Sequence, residues 1–253
     1  MNCEEVANSI ARFIKDEVTS AGLENGVIGL SGGIDSSVVA SLATKALGRE
    51  HLFALIMPYK TSSKENIEDA QQLADSLAIH SRIIDITTIA DTYFSSFSNA
   101  DVMRKGNIMA RLRMAILYDH AAFHKALVVG TGNKTEIFLG YFTKYGDGGV
   151  DIEPIGDLYK KEVRELANFL HLSKTIIEKQ PTADLWTGQT DEAELGLTYD
   201  NADEILSLLV DKKYGHREIC ALGYDKEDIE RVISLFKSTG HKRTVPKIPK
   251  IIR

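Results

Sequence analysis

Val27-Ile28-Gly29-Leu30-Ser31-Gly32-Gly33-Ile34-Asp35-Ser36-Ser37 is the stretch that decides the fold. The apolar run 27–30 reads as a buried strand that stops at a turn rich in glycine and hydroxyls. Ser36 to Leu47 then reads as a helix, closed by Gly48. Two adjacent glycines let the backbone approach a ligand where a Cβ would stand in the way. The N–H groups at a helix start, at the positive end of its dipole, favour an anion. Ser31, Ser36 and Ser37 can add hydroxyl donors. The loop therefore reads as a phosphate cradle. The competing reading is a tight glycine turn capped by serines, with Asp35 as a first-turn helix acid. No Gly-Lys-Ser/Thr follows the glycines, so this is not a Walker A loop. Without that lysine, a grip on a γ-phosphate for hydrolysis is less natural.

The chain has 253 residues, enough for one substantial core, and residues 1–253 read as a single domain. Hydrophobic content of 43% and charged content of 26% are ordinary for a globular protein. No run approaches the roughly 18 apolar residues of a membrane span. The acidic start Met1-Asn2-Cys3-Glu4-Glu5 lacks a signal-peptide core. Cys3 and Cys220 lie far apart and suggest neither a disulfide framework nor a zinc site, so the expected home is the cytoplasm. A net charge of −6 argues against nucleic-acid binding through a broad basic face. A small anion can still bind where local cations gather. The tail His241 to Arg253 carries five Lys/Arg and no acid, although composition alone favours a solvated end.

Helical spacing runs through residues 4 to 20 on Val6, Ile10, Phe13, Ile14 and Val18. Gly26–Leu30, Leu52–Met57, Arg82–Ile86 and Ala126–Gly130 read as strands. Residues 36–47, 63–77, about 101–126, 159–170 and 226–236 read as helices. Strands alternating with helices predict an α/β fold, a doubly wound parallel sheet with helices on both faces. Such sheets bind ligands beyond the carboxyl ends of their strands, where the glycine loop falls. The stretches 140–158 and 180–196 show no periodicity and read as long loops, a length that is usually functional or disordered.

After the fourth strand comes Gly130-Thr131-Gly132-Asn133-Lys134-Thr135-Glu136, a second polar loop leading into a short helix. Thr131 and Glu136 are placed to face a ligand at the same sheet edge. Taken alone, Glu136 would be read as a solvated helix residue. Around this loop lie Gly106-Asn107-Ile108-Met109-Ala110-Arg111-Leu112-Arg113-Met114, Phe142-Thr143-Lys144-Tyr145-Gly146-Asp147-Gly148-Gly149 and Pro181-Thr182-Ala183-Asp184-Leu185. The Ser-Gly-Gly-Ile-Asp-Ser loop resembles the pyrophosphate loop of N-type ATP pyrophosphatases. The ordered set, from about residue 26 to the His241-Lys242 pair, resembles ammonia-dependent NAD synthetases.

The resemblance implies a Rossmann-like fold of the adenine nucleotide alpha hydrolase type. It implies a ligase that adenylates the nicotinate carboxylate of deamido-NAD with ATP, releasing pyrophosphate. Ammonia then displaces AMP to give NAD. Carried onto this chain, Gly29, Leu30, Ser31, Gly32, Gly33, Ile34, Asp35 and Ser36 cradle ATP. Thr131, Lys160 and Thr182 match further ATP contacts. Asp35 and Glu136 match Mg²⁺ ligands. Arg111, Lys144, Asp151, His241 and Lys242 match deamido-NAD contacts. The family also implies a homodimer with the deamido-NAD site at the subunit interface, to which the N-terminal helix and the 101–126 region could contribute.

Elementary chemistry asks for the same residue types. Two anionic substrates must meet, so metal and cations have to screen their repulsion. Lys160 can stabilise charge building on leaving pyrophosphate, or it can be a surface lysine beside Lys161. Arg111 can hold a phosphate bidentately, or pair with an acid on an exposed helix. Ammonium is not nucleophilic, so a proton acceptor is needed; Asp147 is the candidate, though loop acids often only shape turns. Glutamine as nitrogen donor would need a nucleophilic cysteine with a helper base. Cys3 sits at a terminus and Cys220 in an apolar helical stretch, so free ammonia is the expected donor.

Three other signals carry less. His120 and His124 have zinc-ligand spacing without the metalloprotease glutamate and read as structural. Asp200-Asn201-Ala202-Asp203 reads as a helix cap rather than a calcium site. Trp186 either covers ligand or anchors its loop. The competing functions are another adenylating enzyme, such as the ATPase part of a GMP synthetase or a tRNA-thiolating enzyme, and an ATP-binding regulatory module without turnover. The tRNA reading calls for a basic surface or extra cysteines, which the chain lacks.

Overall fold

The computed structural model describes residues 1–251 except Ser98, Ala183, Leu185 and Thr187. The motif positions Ala183 and Leu185, and the tail's Ile252 and Arg253, lie outside the described residues.

Helix α1 (Cys3–Ser20) starts where the Asn2 side chain accepts the Glu5 N–H, and it buries the stripe Ala7, Ile10, Ile14 and Val18. That stripe packs within the chain, on α2. Strand β1 (Asn25–Gly29) alternates: Val27 joins one apolar cluster and Ile28 the other. Helix α2 (Ile34–Leu47) ends at Gly48, whose φ of 95° places it in the left-handed half of conformational space. Strand β2 (Leu52–Ile56) follows, then α3 (Lys64–Leu77), capped by Ser63. Strand β3 is His80–Ile83, two residues earlier than the run 82–86 suggested. Ile84 and Ile86 still donate to Ile56 and Pro58 carbonyls, so the apolar run continues the pairing beyond the regular strand.

The second half opens with α4 (Thr87–Phe94), the 23-residue α5 (Val102–His124) and β4 (Ala126–Val129). Strand order is β3-β2-β1-β4, all parallel. The chain builds outward from β1 through β2 to β3, then returns to the opposite side of β1. The loops after β1 and β4 therefore diverge at the switch point, where an open parallel sheet forms its ligand crevice. Helices α1 and α2 cover one face; α4 and α5 cover the other.

Helices α6 (Lys134–Leu139), α7 (Lys160–Phe169) and α8 (Lys174–Ile177) come next. The 180–196 stretch is less irregular than its sequence suggested, because it contains α9 (Asp191–Leu195). Helix α10 (Tyr199–Leu206) runs into a π-helical turn at Ser207–Asp211. Helices α11 (His216–Ala221) and α12 (Lys226–Ser238) follow, with a 3-10 turn at Gly240–Arg243 after them. The two helices close a third apolar cluster around Tyr199, Ile205, Leu206, Ile229 and Val232. The acids 200–203 lie inside α10, whose cap is Thr198; they do not cap it. Among the described residues, no helix is long and apolar enough to cross a membrane. Ile14 is fully buried between α1 and α2. Ile14→Ala should cost about 2–5 kcal/mol of stability, read as a lowered urea midpoint with an unchanged slope.

Candidate functional site

The β1 loop is built from its own polar groups. Ser31 Oγ accepts the Gly33 N–H (3.2 Å), and Ser36 Oγ donates to the Gly33 carbonyl (3.1 Å). Ser37 was expected to offer its hydroxyl to a ligand, but it is fully buried and donates to the same carbonyl (2.8 Å). Its small side chain is held inside the first turn of α2 by that bond. The N–H groups of residues 34–36 have no intrahelical acceptor and open α2 toward the crevice. Gly32 has φ 78°, and a Cβ there would stand 2.1 Å from the Asn66 carbonyl oxygen. The glycine therefore allows α3 to lie against the loop.

The β4 loop is tied to the β1 loop by one side chain. Asn133, fully buried, caps α6 by accepting the Glu136 N–H (3.0 Å) and donates its Nδ2 to Asp35 Oδ1 (2.9 Å). Glu136 returns its Oε2 to the Asn133 N–H (3.4 Å), a capping box. Lys160, the first residue of α7, reaches back to both loops. Its Nζ lies 2.6 Å from Asp35 Oδ2 and 3.1 Å from Glu136 Oε1, and it is only 2% exposed. The surface-lysine reading therefore does not hold. The start of α7 is set by Asp203, which accepts from Thr135 Oγ1 (2.5 Å) and the Lys161 N–H (2.8 Å).

Tyr199 and Asp191 stand behind this group. The Tyr199 ring lies 4.9 Å from Lys160 Nζ, and its hydroxyl donates to Asp191 Oδ2 (3.0 Å) and points at Glu136 Oε1 (3.5 Å). Burial opposes the charge on Lys160, but Asp35 and Glu136 overcome it and raise the ammonium's pKa. Burial pushes the Glu136 carboxyl up to about 7, with Lys160 opposing and Asp35 reinforcing. Three carboxyls thus face one ammonium in a poorly solvated place.

A cavity of about 610 Å³ opens over these groups. Residues 29–31 and 33–36, with Thr131, Glu136, Lys160 and Thr182, line it. Asp147, Lys242 and Trp186 also line it, so Trp186 faces the cavity. Asp147 is exposed to solvent at the loop surface and accepts the Thr143 N–H (2.8 Å); the desolvation its neighbours impose raises its pKa. Lys242 donates to the Gly140 and Phe142 carbonyls (2.7 and 2.6 Å). Arg111, Lys144, Asp151 and His241 are not brought to the cavity lining. Arg111 is on α5, Asp151 meets Tyr118 of the same helix, and Lys144 links Arg111 to His241. Arg111 donates to the Lys144 carbonyl (3.3 Å), Lys144 Nζ to the His241 carbonyl (2.5 Å), and the Tyr118 hydroxyl to Asp151 Oδ1 (3.0 Å).

The cavity's far wall is tethered as well. Asp184 accepts the Ser63 N–H (2.9 Å) and Asn66 Nδ2 (3.1 Å), and Lys179 pairs with Asp69. Sequence reasoning missed Asn66, Arg113, Asn133, Asp191 and Tyr199. Arg113 lines the cavity and donates to the Met57 carbonyl (2.9 Å). The acid-rich start of α9 was a visible signal for Asp191. Elsewhere, His124 stacks on Phe53 (3.8 Å between ring centroids) and His120 lies 5.9 Å from it, a packed arrangement that matches the structural reading of that pair.

Asp35 and Glu136 form a hard-oxygen pair suited to Mg²⁺, which binds through one or two carboxylates and completes its shell with water and phosphate. Among the described residues, no group of three or more His, Cys, Asp or Glu is arranged to hold a metal. The pair thus fits an ion that arrives with a nucleotide.

Glu153 also escaped the sequence reading. Its Oε2 accepts the Gly132 N–H (2.9 Å), and a Cβ on Gly130 would stand 2.5 Å from that oxygen. Burial lifts its pKa from 4.5 to about 8, with Glu136 and Asp147 adding repulsion. The folded state therefore keeps this proton where the unfolded chain has lost it. Its stabilising effect is complete below about pH 4.5 and is lost as pH rises to about 8. Glu153→Gln should raise the melting temperature relative to wild type at pH 8.5, with little difference at pH 4.5.

The NAD synthase family profile matches residues 6–246. The chain is 43% identical to the NH(3)-dependent NAD(+) synthetase of Fusobacterium nucleatum, over 100% of this chain and 98% of that one. The solved NMN synthetase of Francisella tularensis superposes with a TM-score of 0.89 at 37% identity, covering 99% and 100% of the two chains. The NH3-dependent NAD synthetase of Campylobacter jejuni, solved with a nitrate ion, gives 0.85 at 34% identity, again covering 99% and 100%.

Proposed function

The chain belongs to the NAD synthase family, and from that premise we propose that it is an ammonia-dependent NAD synthetase catalysing the last step of NAD formation. The observation that carries this reading is the contact of Lys160 with Asp35 and Glu136, which joins three loops at the floor of one cavity. The chain is taken to work as one catalytic domain in the cytoplasm.

ATP lies with its terminal phosphates on the 29–36 loop, against the free N–H groups of α2, and contacts Thr131 and Thr182. Asp35 and Glu136 would hold Mg²⁺, which when bound would neutralise the phosphate oxygens and polarise the α-phosphorus. The nicotinate carboxylate of deamido-NAD attacks that phosphorus and pyrophosphate leaves. Lys160 meets the charge that builds on the leaving group, in a buried place where such contacts are strong. Ammonia then attacks the acyl carbon and AMP departs. Asp147 takes the ammonium proton; its raised pKa makes it a better base than a carboxylate at its ordinary value.

The dinucleotide is held by Arg111, Lys144, Asp151, His241 and Lys242. The first four are outside the cavity lining, on α5 or linked to it. That helix leaves Met103, Tyr118 and Phe123 exposed, Phe123 by 79%. A homodimer formed through this face would bury those side chains and enclose the dinucleotide at its edge.

The test is a turnover assay with Mg-ATP, ammonium and candidate acids, following AMP release. Deamido-NAD should drive AMP and NAD formation in equal amounts, and glutamine should not replace ammonium. The likeness to an NMN synthetase makes nicotinic acid mononucleotide the decisive comparison. The dinucleotide should be favoured at least about tenfold in kcat/KM. Preference for the mononucleotide contradicts the substrate, and AMP release with no acid at all contradicts the reaction. Asp147→Asn should lower kcat about 100-fold, with KM for ATP nearly unchanged. Full kcat across the pH range puts the base elsewhere.

A further inference from the structure

All four oxygens of the Asp35 and Glu136 carboxylates already have a protein donor. Asn133 engages Asp35 Oδ1 and Glu136 Oε2; Lys160 engages Asp35 Oδ2 and Glu136 Oε1. Asn133 is fixed on both sides, because it caps α6 and is fully buried. The lysine is the donor that can leave: its stem is flexible and its ammonium is a point charge. A divalent ion on the same two oxygens would sit a few ångströms from that ammonium, in a setting where like charges repel strongly. The Tyr199–Asp191 pair offers the ammonium somewhere to go. The Tyr199 ring already lies 4.9 Å from Nζ, and Asp191, held by Tyr199 and by the Tyr141 hydroxyl (3.1 Å), adds attraction for the lysine.

We infer that Lys160 is a built-in counter-cation competing with the metal for Asp35 and Glu136, and that Asp191 with Tyr199 forms a second berth into which its ammonium moves when the metal binds. This rests on the metal-ligand reading given above. Asp191 and Tyr199 are then positioning residues that act through Lys160. The exchange makes metal binding weak until the phosphates of a nucleotide add their charge. It also turns Lys160 from the carboxylates toward its catalytic task.

Mn²⁺ binding to the nucleotide-free protein at pH 8.5, measured by electron paramagnetic resonance, tests the exchange apart from activity. Lys160→Met should bind Mn²⁺ about tenfold more tightly than wild type. Mn²⁺ should also raise the melting temperature of this variant more than that of wild type, which shows that it remains folded. Asp191→Asn should weaken Mn²⁺ binding in the wild-type background by more than in the Lys160→Met background, since without the lysine the berth has no occupant. Equal or weaker binding by Lys160→Met overturns the competition, and an equal Asp191→Asn effect in both backgrounds overturns the berth. Glu136→Gln separates the two readings. If it abolishes Mn²⁺ binding while Lys160→Met changes nothing, only the exchange fails; if it leaves binding intact, the metal site and the exchange fail together.

Discussion

One buried ammonium among carboxylates governs this site. Lys160 joins Asp35, at the start of α2, to Glu136, at the start of α6, from the start of α7. Three helix N-termini therefore converge on one point at the switch between β1 and β4. Removing the lysine alone would leave its partners buried without compensation, which is costly. The imbalance has a chemical use. With Asp191 included, three carboxyls face one cation, and the surplus negative charge makes the place receptive to further positive charge.

Neutral parts support the charged ones. Asn133 satisfies the start of α6 and fixes Asp35 with the same amide, so the two loops cannot shift independently. Asp203 holds the first N–H groups of α7 through Thr135 and directly, which sets where Lys160 begins. Asp184 and Asn66 tie the far wall to α3, and α3 lies against Gly32. A ligand would meet a frame whose polar groups are largely aimed beforehand, so little ordering remains to be done on binding.

The sheet was legible because its signals are local. Apolar runs at Val27–Leu30 and Leu52–Met57, and the glycine pair between strand and helix, need no distant information. Asp35, Glu136 and Lys160 were legible through the motifs around them, and the structure brings them together. Other features depended on contacts far along the chain. The role of Asp203 inside α10 and the approach of Asp191 to Lys160 both depend on how the 191–232 helices fold back. Asp191 is 156 positions from Asp35 in the chain, and no spacing rule reports that meeting. Glu153 was silent for a similar reason: its pKa follows from burial behind a glycine loop, and its sequence neighbours give no sign of that.

Adenylation at this crevice depends on where the nucleotide's terminal phosphates rest. Crystals grown with Mg²⁺ and a non-hydrolysable ATP analogue measure that directly. Density for the β- and γ-phosphates on the backbone N–H groups of residues 32–36, with the α-phosphate turned toward Asp147 and Lys242, is the expected result. Terminal phosphates bound away from the glycine turn, or an adenine ring seated on it, would contradict it.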